Sequence, residues 1–233
     1  MKGGHPPHCS PRALAQQLSE SLDRLQLNQA DLYMLHRDDT SVAVGEFVDV
    51  LRSFIHRGLI RAYGFSNWTL ERVTDAIDYA KQRNYPEPAA ISNQLSLAVM
   101  ERPVYPGCVH VADTASRQWL EHSKVTLIPW SSQGRGVFTN VASEADLRAC
   151  DLTYSWFSNE NWQRVERTRK AAAEHGVIPV NIALAWVLQQ PFPTFPIIGP
   201  RTVGELTTSL TALEVRLSCE ELAWLNLEHR IEE

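Results

Sequence analysis

The amino-acid sequence predicts a single-domain α/β fold in which parallel strands alternate with helices. The ends of four predicted strands fall roughly 30 residues apart, the repeat of parallel strands joined by right-handed crossovers: His36, Phe65, Gln94 and Trp130. A polar motif stands at or just after each of these ends, where folds of this class carry their chemistry. No low-complexity linker interrupts the 233 residues, so we expect one domain over 1–233.

The composition excludes several classes of protein. Hydrophobic residues make up 44% and charged residues 21%, which is ordinary for a globular protein with a sizeable core. The net charge of −5 comes without a basic block, so no nucleic-acid partner is expected. The longest apolar runs are strand-sized, and residues 1–12 do not resemble a signal peptide. We therefore expect no association with membranes.

The cysteines lie far apart and form no CxxC pair: Cys9, Cys108, Cys150 and Cys219. This spacing is typical of reduced thiols, so a cytoplasmic location is expected. His5, His8 and Cys9 stand close together among prolines, and we interpret them as part of an exposed turn. Because a zinc site usually needs four converging ligands, no metal site is predicted.

The first half of the chain is predicted to contain three helix–strand pairs: 11–25 with 31–36, 45–56 with 59–65, and 70–83 with 89–94. Ser10 and Pro11 form an N-cap and first helical position, and leucines at three- and four-residue spacing give this helix one apolar face. Gly58 ends the second helix. Thr69 caps the third, and Glu71 in its first turn is favoured by the helix dipole.

The second half opens with a long loop and is less regular. Its predicted helices are 114–123, 161–174, 181–190 and 202–213, and its predicted strands are 124–130 and 194–198. Residues 139–160 show little periodicity and are interpreted as a long loop or a small excursion at the carboxyl ends of the strands. Gly176 and Pro179 separate the two middle helices, and Ser218 with Glu221 forms a capping box for a last helix.

The strand DLYMLH at 31–36 is predicted to be buried and to end in His36. An imidazole at the carboxyl end of a buried strand stands where barrel and open α/β enzymes keep their chemistry. The alternative is a core histidine whose ring nitrogens are satisfied by backbone groups, the commoner situation for a lone histidine. The motifs at the other strand ends favour the catalytic interpretation.

Amide and hydroxyl side chains stand at the next two strand ends. Ser66 and Asn67 follow the second strand, and Gln94 closes the third. Asparagine and glutamine supply both donors and acceptors, as a ligand with an amide group such as nicotinamide requires. Ser66 and Asn67 also have a structural alternative, because they precede a helix that they could cap.

Two further motifs suit a planar ring and phosphate groups. Trp130 offers either a core side chain or a face for stacking. The following loop, SSQGRG at 131–136, combines glycines, hydroxyls and Arg135, although it is neither a Walker A nor a GxGxxG motif. Gly199 and Arg201 precede a helix whose N-terminus favours anions. For Arg201, a solvated surface position is the alternative.

Taken in order, these segments resemble the aldo-keto reductase superfamily over nearly the whole chain: DLYMLH, GLIRAYGFSN, the strand-ending Gln94, IPWSSQGRG and PIIGPRT. The resemblance implies a (β/α)8 barrel of TIM type, of which this chain supplies about five of the eight strands. It also implies an oxidoreductase that uses NADP(H) to reduce an aldehyde or ketone to an alcohol. The expected partner is thus a small carbonyl or alcohol substrate.

The resemblance assigns a role to each motif. His36 would hydrogen-bond the substrate carbonyl, whereas Ser66, Asn67 and Gln94 would clamp the nicotinamide carboxamide. Trp130 would stack on the nicotinamide ring. The residues expected along the pyrophosphate are Ser131, Gln133, Gly134, Arg135 and Gly136.

Arg201, in the motif with Gly199, resembles the residue that holds the 2′-phosphate of NADP(H). Beyond it the family often has Gln and Asn, but Glu205 and Ser209 stand at those positions here. Glu205 would repel a 2′-phosphate and would suit a ribose hydroxyl. NADP(H) is therefore the expected cofactor, with NAD(H) as the alternative.

The N-terminal MKGGHP resembles the end of the family's third strand, so Lys2 would be the catalytic lysine. In the family, the catalytic Asp and Tyr precede this segment. Tyr33 and Tyr63 cannot be assigned the role of that catalytic Tyr, because both lie inside predicted strands. General acid catalysis is typically worth about 10²–10⁴-fold, so impaired reduction is expected. A sheet of five strands would also leave an open edge, for an oligomer or a partner to cover.

Three hypotheses follow. The favoured one is an NADP(H)-dependent reductase truncated near its third strand, because the cofactor motifs form a nearly complete set. The second is a short non-redox family member that binds nucleotide, acts as a lyase or dehydratase through His36, or is completed by a partner subunit. The third is an inert relic that folds poorly.

Overall fold

The computed structural model describes residues 11–139, 143–149 and 154–228. Within it the chain divides into two compact units, Met1–Asn93 and Gln94–Glu233, called below the N-terminal and the C-terminal unit. Both units combine strands with helices, so the predicted α/β class is confirmed.

The N-terminal unit alternates helices with parallel strands, as the sequence predicts. Its elements are α1 (Pro11–Leu25), β1 (Ala30–Leu35), α2 (Val44–His56), β2 (Ile60–Ser66), α3 (Leu70–Arg83) and β3 (Ala90–Ser92). β2 lies between β1 and β3, and both pairings are parallel. The carboxyl ends of the three strands therefore lie at one edge of the sheet.

Local sequence signals account for the bounds of these elements. The side chain of Thr69 accepts a hydrogen bond from the backbone N–H of Arg72 and so caps α3, which ends at Asn84 in a left-handed conformation (φ 56°). Gly64 allows β2 to approach β3 closely, because a Cβ there would lie 2.3 Å from the carbonyl oxygen of Ala90. Any larger residue at Gly64 would force the strands apart.

The core of the N-terminal unit is aromatic. The rings of Phe65 and Trp68 stack with centroids 4.0 Å apart, and Phe47 meets Trp68 edge to face at 5.2 Å. All three side chains are fully buried. Aromatic pairs contribute about 0.5–1.5 kcal/mol each beyond area burial, so this cluster fixes the segment that follows β2.

The prediction that strand 31–36 is buried is wrong. Asp31 and Leu32 are exposed, Tyr33 and Met34 are half-buried, and only Leu35 is buried. The reason is that β1 is the edge strand of the sheet and pairs with β2 on one side only in the described part of the chain. An apolar sequence run alone does not distinguish an edge strand from a central one.

The C-terminal unit is mainly helical. Its elements are α4 (Thr114–Ser123), β4 (Thr126–Leu127), α5 (Glu144–Ala149), α6 (Asn159–His175), α7 (Pro179–Leu188), α8 (Val203–Leu210) and α9 (Cys219–Leu225), with 3-10 turns at Gly134–Gly136, Tyr154–Trp156 and Thr211–Leu213. α7 forms the core of this unit, since every residue from Val180 to Val187 is buried. Pro179 occupies the first position of α7, which therefore begins earlier than predicted.

Two predicted strands are much shorter than expected. The predicted strand 124–130 is reduced to β4, and the predicted strand 194–198 to a parallel bridge between Leu127 and Thr194. The backbone still pairs as in a parallel ladder, because Phe195 N–H donates to Leu127 O and Ile197 N–H to Pro129 O, each at 2.9 Å. Prolines at 129, 193 and 196 have no N–H, which interrupts the ladder.

The predicted long loop at 139–160 contains short helices in its described part. α5 and the turn Tyr154–Trp156 lie within it, and Trp156 is fully buried. Ser158 then caps α6 by accepting from the backbone N–H of Asn161 at 3.1 Å. The segment thus carries part of the core, which its weak periodicity did not indicate.

Among the described residues, no single helix is long and apolar enough to cross a membrane. α6 and α7 have the length and composition of a membrane span only when they are taken together, and they are bent by 96° at their junction.

Candidate functional site

His36 lies directly after β1, at the carboxyl edge of the N-terminal sheet. Its side chain is exposed and makes no hydrogen bond within the described part of the chain. The alternative of a core histidine satisfied by backbone groups is therefore wrong. The imidazole is available to a small molecule at this edge.

The loop that follows His36 is held by Arg72 of α3. Its guanidinium reaches both carboxylate oxygens of Asp38, with Nε 2.8 Å from Oδ2 and Nη2 2.9 Å from Oδ1. Nη2 also donates to the carbonyl oxygen of Val42 at 3.2 Å, and the guanidinium lies 4.9 Å from the ring centroid of Trp68. Both charged side chains are largely buried, so the pair fixes the loop next to His36. Neither residue belongs to a motif that is recognisable in the sequence.

Ser66 and Asn67 come together at the end of β2. Ser66 Oγ donates to the carbonyl oxygen of Ser92 at 2.8 Å and accepts from Asn67 Nδ2 at 3.0 Å. Asn67 has a left-handed backbone (φ 57°), and both side chains are buried. The cap of α3 is Thr69, so the alternative that Ser66 and Asn67 cap this helix is wrong.

One tyrosine of this unit is engaged away from the strand ends. The hydroxyl of Tyr63 donates to the carbonyl oxygen of Pro86 at 2.8 Å. Burial, reinforced by the charge of Glu87, raises the pKa of Tyr63 well above its usual range. A phenol that is held in this way is a poor proton donor.

Gln94 opens the C-terminal unit with its side chain fully buried. Its backbone N–H donates to Val109 O, and its carbonyl accepts from Val111 N–H, both at 2.9 Å. The side-chain Nε2 donates to Ser96 Oγ at 2.8 Å, whereas Oε1 is buried without a partner among the described residues. An unpaired buried amide oxygen is costly, and this oxygen retains its capacity to accept a hydrogen bond.

The glycine-containing loop after Trp130 is tightly curled. Four of its residues have positive φ: Ser131 (51°), Gly134 (66°), Arg135 (50°) and Gly136 (98°). Ser132 Oγ donates to Ile197 O at 2.7 Å and holds the loop to the next strand-like segment. Trp130 is half-buried, and its Nε1 has no partner among the described residues.

Gln133 connects this loop to α8. Its Nε2 donates to Ser209 Oγ at 2.9 Å, and Ser209 Oγ donates to Glu205 O, also at 2.9 Å. Two predicted site segments, 131–136 and 199–205, are thereby brought together.

Arg201 is already paired with Glu205. The carboxylate of Glu205 accepts from the backbone N–H of Arg201 at 2.6 Å and lies 3.8 Å from the guanidinium Nε. Thr202 caps α8 by accepting from Glu205 N–H at 3.1 Å. Both charged side chains are exposed, and a Cβ at Gly199 would meet no atom within 4 Å. The start of α8 is thus open but carries a negative charge.

Lys2, His5, His8 and Cys9 lie outside the described residues. Within residues 11–139, 143–149 and 154–228, no group of three histidine, cysteine or carboxylate residues could hold a metal ion.

Comparison with known protein families identifies the family of this chain. The model of the aldo/keto reductase family matches residues 1–226. The chain belongs to the aldo/keto reductase family. It is therefore similar in sequence to oxidoreductases along nearly its whole length.

The curated relatives of this aldo/keto reductase are longer than the chain. It is 29% identical over 219 residues to Probable aldo-keto reductase 1 of Glycine max. This match covers 91% of the chain and 59% of that protein. It is 27% identical over 256 residues to Protein tas of Escherichia coli, at 99% and 70% coverage, respectively. The chain thus spans about three fifths of the first relative's length.

A solved structure supports the fold. A thermostable aldo-keto reductase crystallised with the inhibitor epalrestat matches with a TM-score of 0.70 and 23% identity, over 95% of this chain and 68% of that one. The fold is therefore an α/β fold of the TIM-barrel type found in aldo-keto reductases.

Proposed function

We propose that this chain is an NADP(H)-dependent oxidoreductase that interconverts an aldehyde or ketone with the corresponding alcohol. The observation that carries the proposal is Gln94 Oε1, which is buried without a partner among the described residues of this member of the aldo/keto reductase family. A nicotinamide carboxamide has two N–H donors, and one of them would satisfy this oxygen.

The loop at 131–136 fits the phosphate part of such a cofactor. Gln133 (φ −96°, ψ 11°) is followed by Gly134 at positive φ (66°), and such a change of backbone hand is the geometry of anion-binding nests. Gln133 and Ser209 hold the loop next to the start of α8, where Arg201 stands. Ser131, Gln133, Gly134, Arg135, Gly136, Gly199 and Arg201 remain the proposed phosphate contacts.

His36 is the proposed catalytic residue of the described chain. A bound nicotinamide cofactor would supply a hydride to the carbonyl carbon, and a proton from water at this exposed edge would complete the alcohol. The exposed imidazole donates a hydrogen bond to the carbonyl oxygen and stabilises the negative charge that develops there. Loss of one such donor typically costs about 10²–10³-fold in rate.

NAD(H) is the second candidate cofactor, and Glu205 favours it. Its carboxylate already occupies the backbone N–H of Arg201 and lies close to the guanidinium. A 2′-phosphate would meet this negative charge, whereas a ribose hydroxyl could donate a hydrogen bond to it.

Turnover tests the proposed chemistry. With NADPH or NADH and a panel of aldehydes, the wild-type chain should oxidise the cofactor, and His36→Ala should be slower by about 10²-fold. His122→Ala, in the exposed part of α4, is the matched control and should behave as wild type. Equal rates for wild type and His36→Ala would remove His36 from the mechanism. Cofactor binding without any hydride transfer would favour the non-redox hypothesis.

The proposed location is the cytoplasm. The four cysteines lie far apart in the sequence and form no CxxC pair, a pattern typical of the reduced thiols that the cytosol maintains. Fractionation of cells that express the tagged full-length protein would test this, because recovery with the membranes or the medium would contradict it.

A further inference from the structure

Ser96 is a fully buried hydroxyl beside the proposed cofactor site that the motifs do not include. Its Oγ lies 2.8 Å from Gln94 Nε2 and 2.6 Å from the carbonyl oxygen of Ala98. A carbonyl oxygen can only accept, so the single hydroxyl proton of Ser96 is donated to Ala98. Toward Gln94, Ser96 can therefore only accept.

This arrangement fixes the polarity of the Gln94 amide. The two ends of a glutamine amide have nearly the same shape, and a flip exchanges its donor and its acceptor. Because Ser96 must receive a hydrogen bond, the NH2 group of Gln94 faces Ser96. The oxygen Oε1 must then point to the other side, where it has no partner among the described residues.

The carbonyl oxygen of Ala98, which accepts from Ser96, belongs to a backbone segment that is held in place by further hydrogen bonds. Ala98 precedes Val99, whose N–H donates to Asn161 Oδ1 at 2.9 Å and whose carbonyl accepts from Asn161 Nδ2 at 2.7 Å. Asn161 also donates to Trp156 O at 2.7 Å and is fully buried. Asn161 therefore holds the backbone next to Ala98 in place, and with it the carbonyl oxygen that accepts from Ser96.

We propose that Ser96 is a positioning residue that sets Gln94 Oε1 as a hydrogen-bond acceptor and so selects a ligand with a carboxamide N–H. The proposal rests on the proposed function, because it concerns the same site. Ser96 does not itself contact the ligand. Without it, the amide of Gln94 is free to flip, and its NH2 group would oppose the N–H of the ligand.

Three ligands separate this role from a merely structural one, each titrated calorimetrically into the full chain. NADPH carries the carboxamide, its 3-acetylpyridine analogue has a methyl ketone without N–H, and 2′,5′-ADP lacks the ring altogether. Ser96→Ala should weaken NADPH binding by about tenfold. It should leave 2′,5′-ADP unchanged and affect the acetylpyridine analogue less than twofold. Ser96→Thr, which keeps the hydroxyl, should restore NADPH affinity.

NADPH affinity that is equal in wild type and Ser96→Ala would overturn the role of Ser96 while leaving the proposed function intact. Equal weakening of all three ligands would also overturn it, because that result indicates a general loss of structure. A wild-type chain that binds neither NADPH nor NADH would contradict the proposed function itself, and the role of Ser96 with it. Ser143→Ala, at an exposed serine, is the control.

Discussion

At the scale of single residues, Arg72 links α3 to the loop that carries His36. Arg72→Ala would leave the largely buried carboxylate of Asp38 without its partner, and removal of one member of such a pair is strongly destabilising. We expect the free energy of unfolding to fall by about 2–4 kcal/mol, measured by urea denaturation. Arg61→Ala is the matched control, because its ion pair with Asp31 is exposed.

For the exposed pair, a loss of about 0–1 kcal/mol is expected. Equal losses from Arg72→Ala and Arg61→Ala would show that the Asp38–Arg72 pair does not hold the loop.

Glu205 gives a second prediction at this scale. Glu205→Gln removes the negative charge beside Arg201, so NADPH should bind several-fold more tightly, whereas NADH should gain nothing or lose affinity. Fluorescence titration with both cofactors measures the ratio of affinities. Glu214→Gln, at an exposed position of the same unit, controls for the change in net charge. An unchanged ratio in Glu205→Gln would exclude Glu205 as the discriminating residue.

At the scale of elements, α9 is joined to α6 by Glu221. Its carboxylate accepts from the backbone N–H of Ser218 at 2.7 Å and lies 2.6 Å from Nε2 of His175. Burial disfavours its charged form, but the hydrogen bonds from Ser218 and His175 outweigh this and lower the pKa of Glu221. The ionised carboxylate is therefore the form that stabilises the junction.

A carboxyl group whose pKa is lower in the folded chain stabilises it above the pKa of the unfolded chain, and this contribution is lost as the pH falls through the folded pKa. Wild type should thus lose more stability between pH 6 and pH 3 than Glu221→Gln. Urea midpoints across this range, with the exposed Glu121→Gln as control, measure the difference. Parallel curves for wild type and Glu221→Gln would contradict the expected linkage.

Most helices could be predicted from sequence because their signals are local. α3 and α4 have their predicted bounds, and the cap of α3 is the predicted Thr69. The strands could not be bounded as well, because prolines at 129, 193 and 196 interrupt pairing within apolar runs. The exposure of β1 depends on its neighbours in the sheet, which periodicity does not contain.

The candidate site shows the same contrast between residues that the sequence indicates and residues that it does not. Residues at strand ends, such as His36 and Gln94, could be singled out because their positions follow from the alternation of elements. Their supports could not: Arg72 pairs with Asp38, which is distant in the sequence, and Ser96 is only two residues from Gln94 but belongs to no motif. Motif residues can be recognised along the chain, whereas the role of a positioning residue follows from hydrogen bonds that are defined only in the folded structure.

At the scale of the whole molecule, the predicted single domain has a thermodynamic consequence. The two compact units meet in sequence at Asn93 and Gln94, and residues 92–95 are all buried, unlike an exposed linker. We expect one cooperative unfolding transition, with tryptophan fluorescence and far-UV circular dichroism giving the same urea midpoint. Two separated transitions would instead indicate independent domains.

The central claim is that this member of the aldo/keto reductase family binds a nicotinamide cofactor through Gln94. Fluorescence titration with NADPH and NADH tests it most directly, with Gln94→Ala compared with Gln118→Ala, an exposed glutamine of α4. We predict saturable binding by wild type and Gln118→Ala, and a loss of about tenfold or more in Gln94→Ala that retains the wild-type circular dichroism. No saturable binding by wild type, or equal affinity in Gln94→Ala, would contradict the claim.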